Sequence, residues 1–145
     1  MLKLTRKTEY ALMALGHISR AGDDEVTKVR EIADNYDIPF PILAKVMQRL
    51  AQQGFVEPIQ GAQGGYRLKA DLAGVNLWQF LEKMEGPLGI VDCVSEDDCT
   101  QMGSCNIRHP MQVIDYTLKS VFTGLTLEHV IQPYAAVRRG NRLSA

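Results

Sequence analysis

Cys93, Cys99 and Cys105 are the only thiols in this 145-residue chain, and two equal gaps of five residues separate them. Glu96, Asp97 and Asp98 lie between them and keep the connecting chain in water, so the sulfurs do not read as small hydrophobes of a packed core. Gly86-Pro87 upstream and Pro110 downstream place the segment in an irregular loop between two helices. An odd cysteine count without a signal-peptide core points to a cytoplasmic chain whose thiols bind metal or do redox chemistry rather than form structural disulfides. Zinc would accept Cys93, Cys99 and Cys105 with His109, although the gaps are wider than the usual two to four. A thiol redox enzyme or electron carrier is the other class, but the chain has no Cys-x-x-Cys pair. No Ser/His/Asp set, phosphate loop or paired-carboxylate signature suggests an enzyme, and Asp97-Asp98 reads as a solvated loop.

A hydrophobic content of 46% suffices for a real core, and no apolar run approaches the roughly 20 residues of a membrane span, so no membrane role is expected. The net charge of -1 says nothing for nucleic acid, but its distribution says slightly more. Residues 1–70 carry 10 Lys and Arg against 8 Asp and Glu, a balance of +2, whereas residues 71–145 carry 6 against 9, a balance of -3.

The elements that position these groups follow from apolar spacing. Thr5 to about Ser19 reads as a helix with Thr5 as N-cap and Ala11, Leu12, Leu15 and Ile18 on one face. A second runs from Lys28 to Tyr36 behind a Thr27 cap, and a third from Pro41 to Gln53 buries Leu43, Val46, Met47 and Leu50 and stops at Gly54. Two β-prone runs, Phe55 to Ile59 and Tyr66 to Leu68, flank the glycines at 61, 64 and 65. Three helices followed by a Gly-tipped hairpin make a winged helix-turn-helix. The expected fold class is mainly α with a small β-hairpin wing, extended by a long dimerisation helix.

The exposed positions then suggest double-stranded DNA as a partner. Lys45, Gln48, Arg49 and Gln52 on the third helix can reach base edges and phosphates, and Pro41 opens the same face. Lys3, Arg6 and Lys28 can follow the backbone, as can Gln63, Gly64, Arg67 and Lys69 of the wing. Polar residues outside an amphipathic helix are often only a solvated face, and the hairpin is what favours the DNA reading. Asn76 caps a fourth helix in which Trp78 and Phe80 are packing residues. Beyond the cysteines, Met111, Ile114, Leu118, Val121 and Leu125 step by three and four along a helix from Met111 to Thr123, a short heptad seam suited to dimerisation. The expected divisions are a DNA-binding domain over 1–75, a cysteine loop and dimerisation helix over 76–132, and a flexible basic tail over 133–145 carrying Arg138, Arg139 and Arg142.

Taken together, the chain from Leu4 to Val130 resembles the IscR/NsrR-type family of bacterial iron-sulfur transcription regulators. The resemblance rests on Leu4-Thr5-Arg6-Lys7-Thr8-Glu9-Tyr10-Ala11, the segment Ile38 to Leu50, the wing Gly61-x-x-Gly64-Gly65-Tyr66-x-Leu68, and the evenly spaced cysteines; Glu85-Gly86-Pro87-Leu88 is similar to the subgroup regulating cluster-assembly operons. It implies a homodimeric repressor with one 2Fe-2S or 4Fe-4S cluster per subunit on Cys93, Cys99 and Cys105, sensing iron, nitric oxide or oxidant, with RNA polymerase as a further partner. It also implies a fourth ligand, either Glu9 from the partner subunit or His109, with Asp92, water or a small thiol as lesser candidates. Arg108 stands where IscR-like members carry histidine, Ala44 where they often carry a selective glutamate, and Gln60 where an arginine commonly precedes the wing.

Overall fold

The computed structural model describes residues 3–91 and 99–131. Its elements in chain order are α1 (Arg6–Ala21), α2 (Val29–Tyr36), α3 (Phe40–Gln52), β1 (Val56–Ile59), β2 (Gly65–Leu68), α4 (Leu77–Glu85), α5 (Arg108–Thr123) and α6 (Leu127–Ile131). The expected mainly α fold with a hairpin wing is what the chain adopts.

Local chemistry sets most of the helix ends. Thr5 caps α1 with its hydroxyl accepting from the Thr8 amide at 3.3 Å. Asn76 and Gln79 form a reciprocal capping box at the start of α4. At the end of α3, Gly54 takes φ +81°, the Phe55 amide donates to the Leu50 carbonyl and the Gly54 amide to that of Ala51. That is a Schellman closure, and its apolar clasp is Phe55 against Leu50, both buried.

Two ends differ from expectation. Thr27 is not a cap: it is buried, and its amide and carbonyl exchange 2.8 Å hydrogen bonds with Tyr66, so Lys28 becomes the N-cap of α2 without a side-chain bond. The backbone pairing holds Thr27 extended and lays a third short segment beside the wing. Helix α5 starts at Arg108, not Met111, because Pro110 sits in the first turn, where its missing N–H would have no helical acceptor anyway. The same helix ends at Thr123, so Leu125 lies beyond it, and its carbonyl accepts from Leu77 at 2.7 Å.

One apolar cluster joins α1, α2, α3, β1 and α4 and also takes in Leu127. Phe55 and Phe80, both almost fully buried, meet edge to face at 5.2 Å between ring centroids and pin α4 under the wing. The strands pair antiparallel with Val56 opposite Leu68 and Pro58 opposite Tyr66. The bridge between Asn76 and Thr126 ties the start of α4 to the turn before α6.

A Cβ on Gly65 would lie 2.3 Å from the Thr27 carbonyl oxygen, so only glycine lets the two backbones meet. Gly65→Ala is expected to destabilise the fold by about 1–3 kcal/mol, read as a lower urea midpoint; an unchanged midpoint would show that the Thr27 bridge contributes little.

Candidate nucleic-acid interface and metal centre

The outer face of α3 is polar because its inner face is committed to the core. Pro41, Lys45, Gln48 and Gln52 are all exposed and follow one another at spacings of four, three and four, opposite buried Leu43, Val46, Met47 and Leu50. This is the stripe a recognition helix offers to a groove. Lys28, at the N-cap of α2, is exposed, as are Lys3 and Arg6 at the entry to α1.

Several cations already have partners. Arg6 pairs with Glu9 at 2.8 Å and Arg67 with Glu57, opposite it in the wing register, at 2.7 Å. Both pairs are partly exposed and worth no more than about 1 kcal/mol each, so phosphate could displace either carboxylate. Arg49 differs from these. It stands at the edge of the stripe facing α4, and its Nη2 donates to the Lys83 carbonyl at 2.8 Å. This exposed hydrogen bond satisfies a carbonyl in the last turn of α4 that has no helical partner.

At the wing tip Gln63 is exposed and Gly64 half-buried. A Cβ on Gly64 would fall 2.3 Å from the Ile59 carbonyl oxygen, so the turn closes only with glycine there. Sequence reasoning passed over Arg30, whose guanidinium lies 4.2 Å above the exposed Phe40 ring at the start of α3. An apolar ring left in water at the mouth of a recognition helix was the available signal.

On the cysteine side, Cys99 and Cys105 are free and half-buried, while Cys93 and Asp92 lie outside the described residues. The Met102 amide bonds the Cys99 carbonyl and the Ser104 amide that of Gln101, so the segment coils through two turns before α5. Cys105 stands two residues before Ile107, the N-cap of α5. His109 is exposed in the first turn of that helix, and Glu9 lies in the first turn of α1. Among the described residues no group of three metal-binding side chains converges. On α5, Ile114 and Val121 are 44% and 54% exposed, and Met111 and Leu118 are half-buried.

Between the two candidate surfaces, the Glu85 carboxylate at the end of α4 accepts from the Thr5 amide at 3.1 Å, from the Thr5 hydroxyl at 2.7 Å and from the Thr8 hydroxyl. Desolvation pushes its pKa up, but the threonine hydrogen bonds outweigh this and hold it below the ordinary value.

The sequence pattern of Rrf2, described as an iron-dependent transcriptional regulator, matches residues 4–133. The chain belongs to the Rrf2 family. Its Rrf2 relatives include the HTH-type transcriptional regulator NsrR of Bacillus subtilis, 30% identical over 133 residues that cover 90% of this chain and 91% of that one. The HTH-type transcriptional repressor NsrR of Streptomyces coelicolor is 28% identical, with coverage of 90% and 88%. Among solved structures, CymR, the global cysteine regulator of B. subtilis, superposes with a TM-score of 0.71 at 24% identity over 90% of this chain and 97% of its own. T. potens IscR gives 0.66 at 18% identity over 99% and 92%. This Rrf2 chain is therefore a winged-helix transcriptional regulator, and its relatives are regulators rather than enzymes.

Because Glu85 has a lowered pKa in the fold, its contribution to stability is present above the unfolded carboxyl value of about 4.3 and is lost as pH falls through the folded value. The stability difference between the natural chain and Glu85→Gln should be constant near neutrality and change only below that value, as read from urea midpoints. A difference independent of pH down to the acid transition would contradict the threonine cradle.

Proposed function

We propose that this Rrf2 regulator is a homodimeric repressor that binds double-stranded DNA and reports the state of an iron-sulfur cluster, 2Fe-2S or 4Fe-4S, one per subunit. The observation that carries the reading is the evenly spaced Cys93, Cys99 and Cys105 in a chain of this family, with the two described thiols free and half-buried. The donor chemistry fits: thiolates are soft ligands suited to iron-sulfur centres, and Cys105 stands two residues before Ile107, the N-cap of α5. A bound cluster would supply an oxidisable, nitric-oxide-reactive centre. The fourth position falls to Glu9 of the partner subunit, with His109, four residues after Cys105, as the other candidate.

The exposed apolar seam of α5 supports a second copy packed there. Ile114 and Val121 are spaced by seven residues and leave apolar surface in water that a symmetric partner would cover. Two such subunits present two recognition helices, and half-sites about one helical turn apart suit them. Each subunit reads DNA through Pro41, Lys45, Gln48 and Gln52 in the major groove. Lys3, Arg6, Lys28, Gln63, Gly64 and Arg67 follow the phosphates, and RNA polymerase is the further partner of a repressor acting at a promoter.

Anaerobic purification tests the metal reading. The chain is expected to carry iron and acid-labile sulfide, and Cys99→Ser to lose both while keeping its helical content and oligomeric state. Full iron and sulfide in the variant would overturn the ligand assignment, and a colourless protein with stoichiometric zinc would select the Cys3His alternative. For DNA, Lys45→Ala is expected to weaken binding and make the slope of log K against log salt shallower by about 0.9. An unaltered slope would remove Lys45 from the phosphate footprint.

A further inference from the structure

We infer that Arg49 is a positioning residue, not a DNA contact: it fixes the recognition helix to the end of α4 from which the cysteine segment departs. The inference rests on the DNA reading above for what α3 does, and on the metal reading only for what moves it.

Helices α3 and α4 bring their C-terminal ends together. Both ends carry partial negative charge and unsatisfied carbonyls, an arrangement that repels unless cations intervene. Each helix supplies the cation the other needs. Arg49 Nη2 donates to the Lys83 carbonyl at 2.8 Å, and Lys83 Nζ reaches back to the Gln53 carbonyl, the C-cap of α3, at 3.5 Å. Lys83 also lies over the Phe55 ring at 5.3 Å, directly after the Gly54 stop of α3. The crossed pair is thus a clasp whose geometry depends on how the last turn of α4 is oriented.

Two residues after Lys83, that turn carries Glu85, bound to Thr5 and Thr8 at the start of α1. The chain then leaves through Gly86, which takes φ +94°, and reaches the Ile90 amide bonded to Asp115 of α5 at 3.2 Å. A shift of the cysteine segment against α5 therefore pulls on the turn that holds Arg49, and through it on the tilt of α3. With its guanidinium committed to α4, Arg49 stands beside the outward stripe of Pro41, Lys45, Gln48 and Gln52 and does not lie within it.

The test uses the full chain and two duplexes, one enriched by the natural protein from a random-sequence pool and a scrambled version of it. Affinity is read at several salt concentrations for protein purified anaerobically and for the same protein stripped of metal. Arg49→Gln is expected to lose about tenfold on the enriched duplex, to bind the scrambled one as before, and to keep the salt slope of the natural chain. Arg49→Lys, which can still donate to the Lys83 carbonyl, should restore most of the loss. Lys83→Met, which removes the reciprocal cation from α4 and none from α3, should reproduce the pattern, so that misfolding of one variant does not decide the matter. A slope shallower by about 0.9 with equal loss on both duplexes would make Arg49 a phosphate contact and overturn the inference. If the natural chain binds equally with and without metal, the sensing reading fails while the slope still decides the role of Arg49. If the natural chain does respond to metal and Arg49→Gln responds as fully, the link to the cysteine segment is overturned.

Discussion

A helix leaves its last carbonyls without helical acceptance, and α4 ends where α1 and α3 also have ends to satisfy. The three termini solve the problem jointly. Glu85 takes up the hydroxyls and amide at the start of α1, Arg49 covers the Lys83 carbonyl, and Lys83 approaches the last carbonyl of α3. Phe55, beneath the Lys83 ammonium, is buried against Phe80, so one side of this exposed cluster rests on apolar packing. The interaction energies are individually modest, yet each has a fixed partner, and together they leave α4 few orientations relative to α3.

The placement of the cysteines makes sense in that setting. The segment that carries them is strung between the end of α4 and the start of α5, two helices already in contact through Trp78 and Phe122. Under the proposed cluster reading, a change in that segment acts on the ends of both helices. Asp115 is the one buried residue of α5, and its carboxylate receives the Ile90 amide rather than a cation among the described residues. The polar anchor of the upstream half of the segment is therefore a backbone group.

Features decided by neighbours in sequence could be read from the sequence. Thr5, Asn76 and Gly54 work through atoms a few residues away, and all three end their helices as their types demand. The stripe on α3 followed from apolar spacing alone. What escaped was decided at long range. Thr27 has the side chain of a helix cap, but Tyr66, far along the chain, captures its backbone first. Pro110 has the look of a stop and instead lies inside a first turn that can spare its amide. Arg49 and Lys83 are 34 positions apart, and no periodicity signals that each would close the other's helix.

Pro58 has a quieter consequence. In β1 it has no amide hydrogen to offer, and the other strand of this two-stranded sheet has its outer side engaged in part by Thr27. A stray extended peptide that approached the wing would find the bonding pattern interrupted on one rim and taken up on the other, so the hairpin cannot readily template a growing ribbon. The wing can thus stay small, glycine-tipped and open to solvent without inviting aggregation.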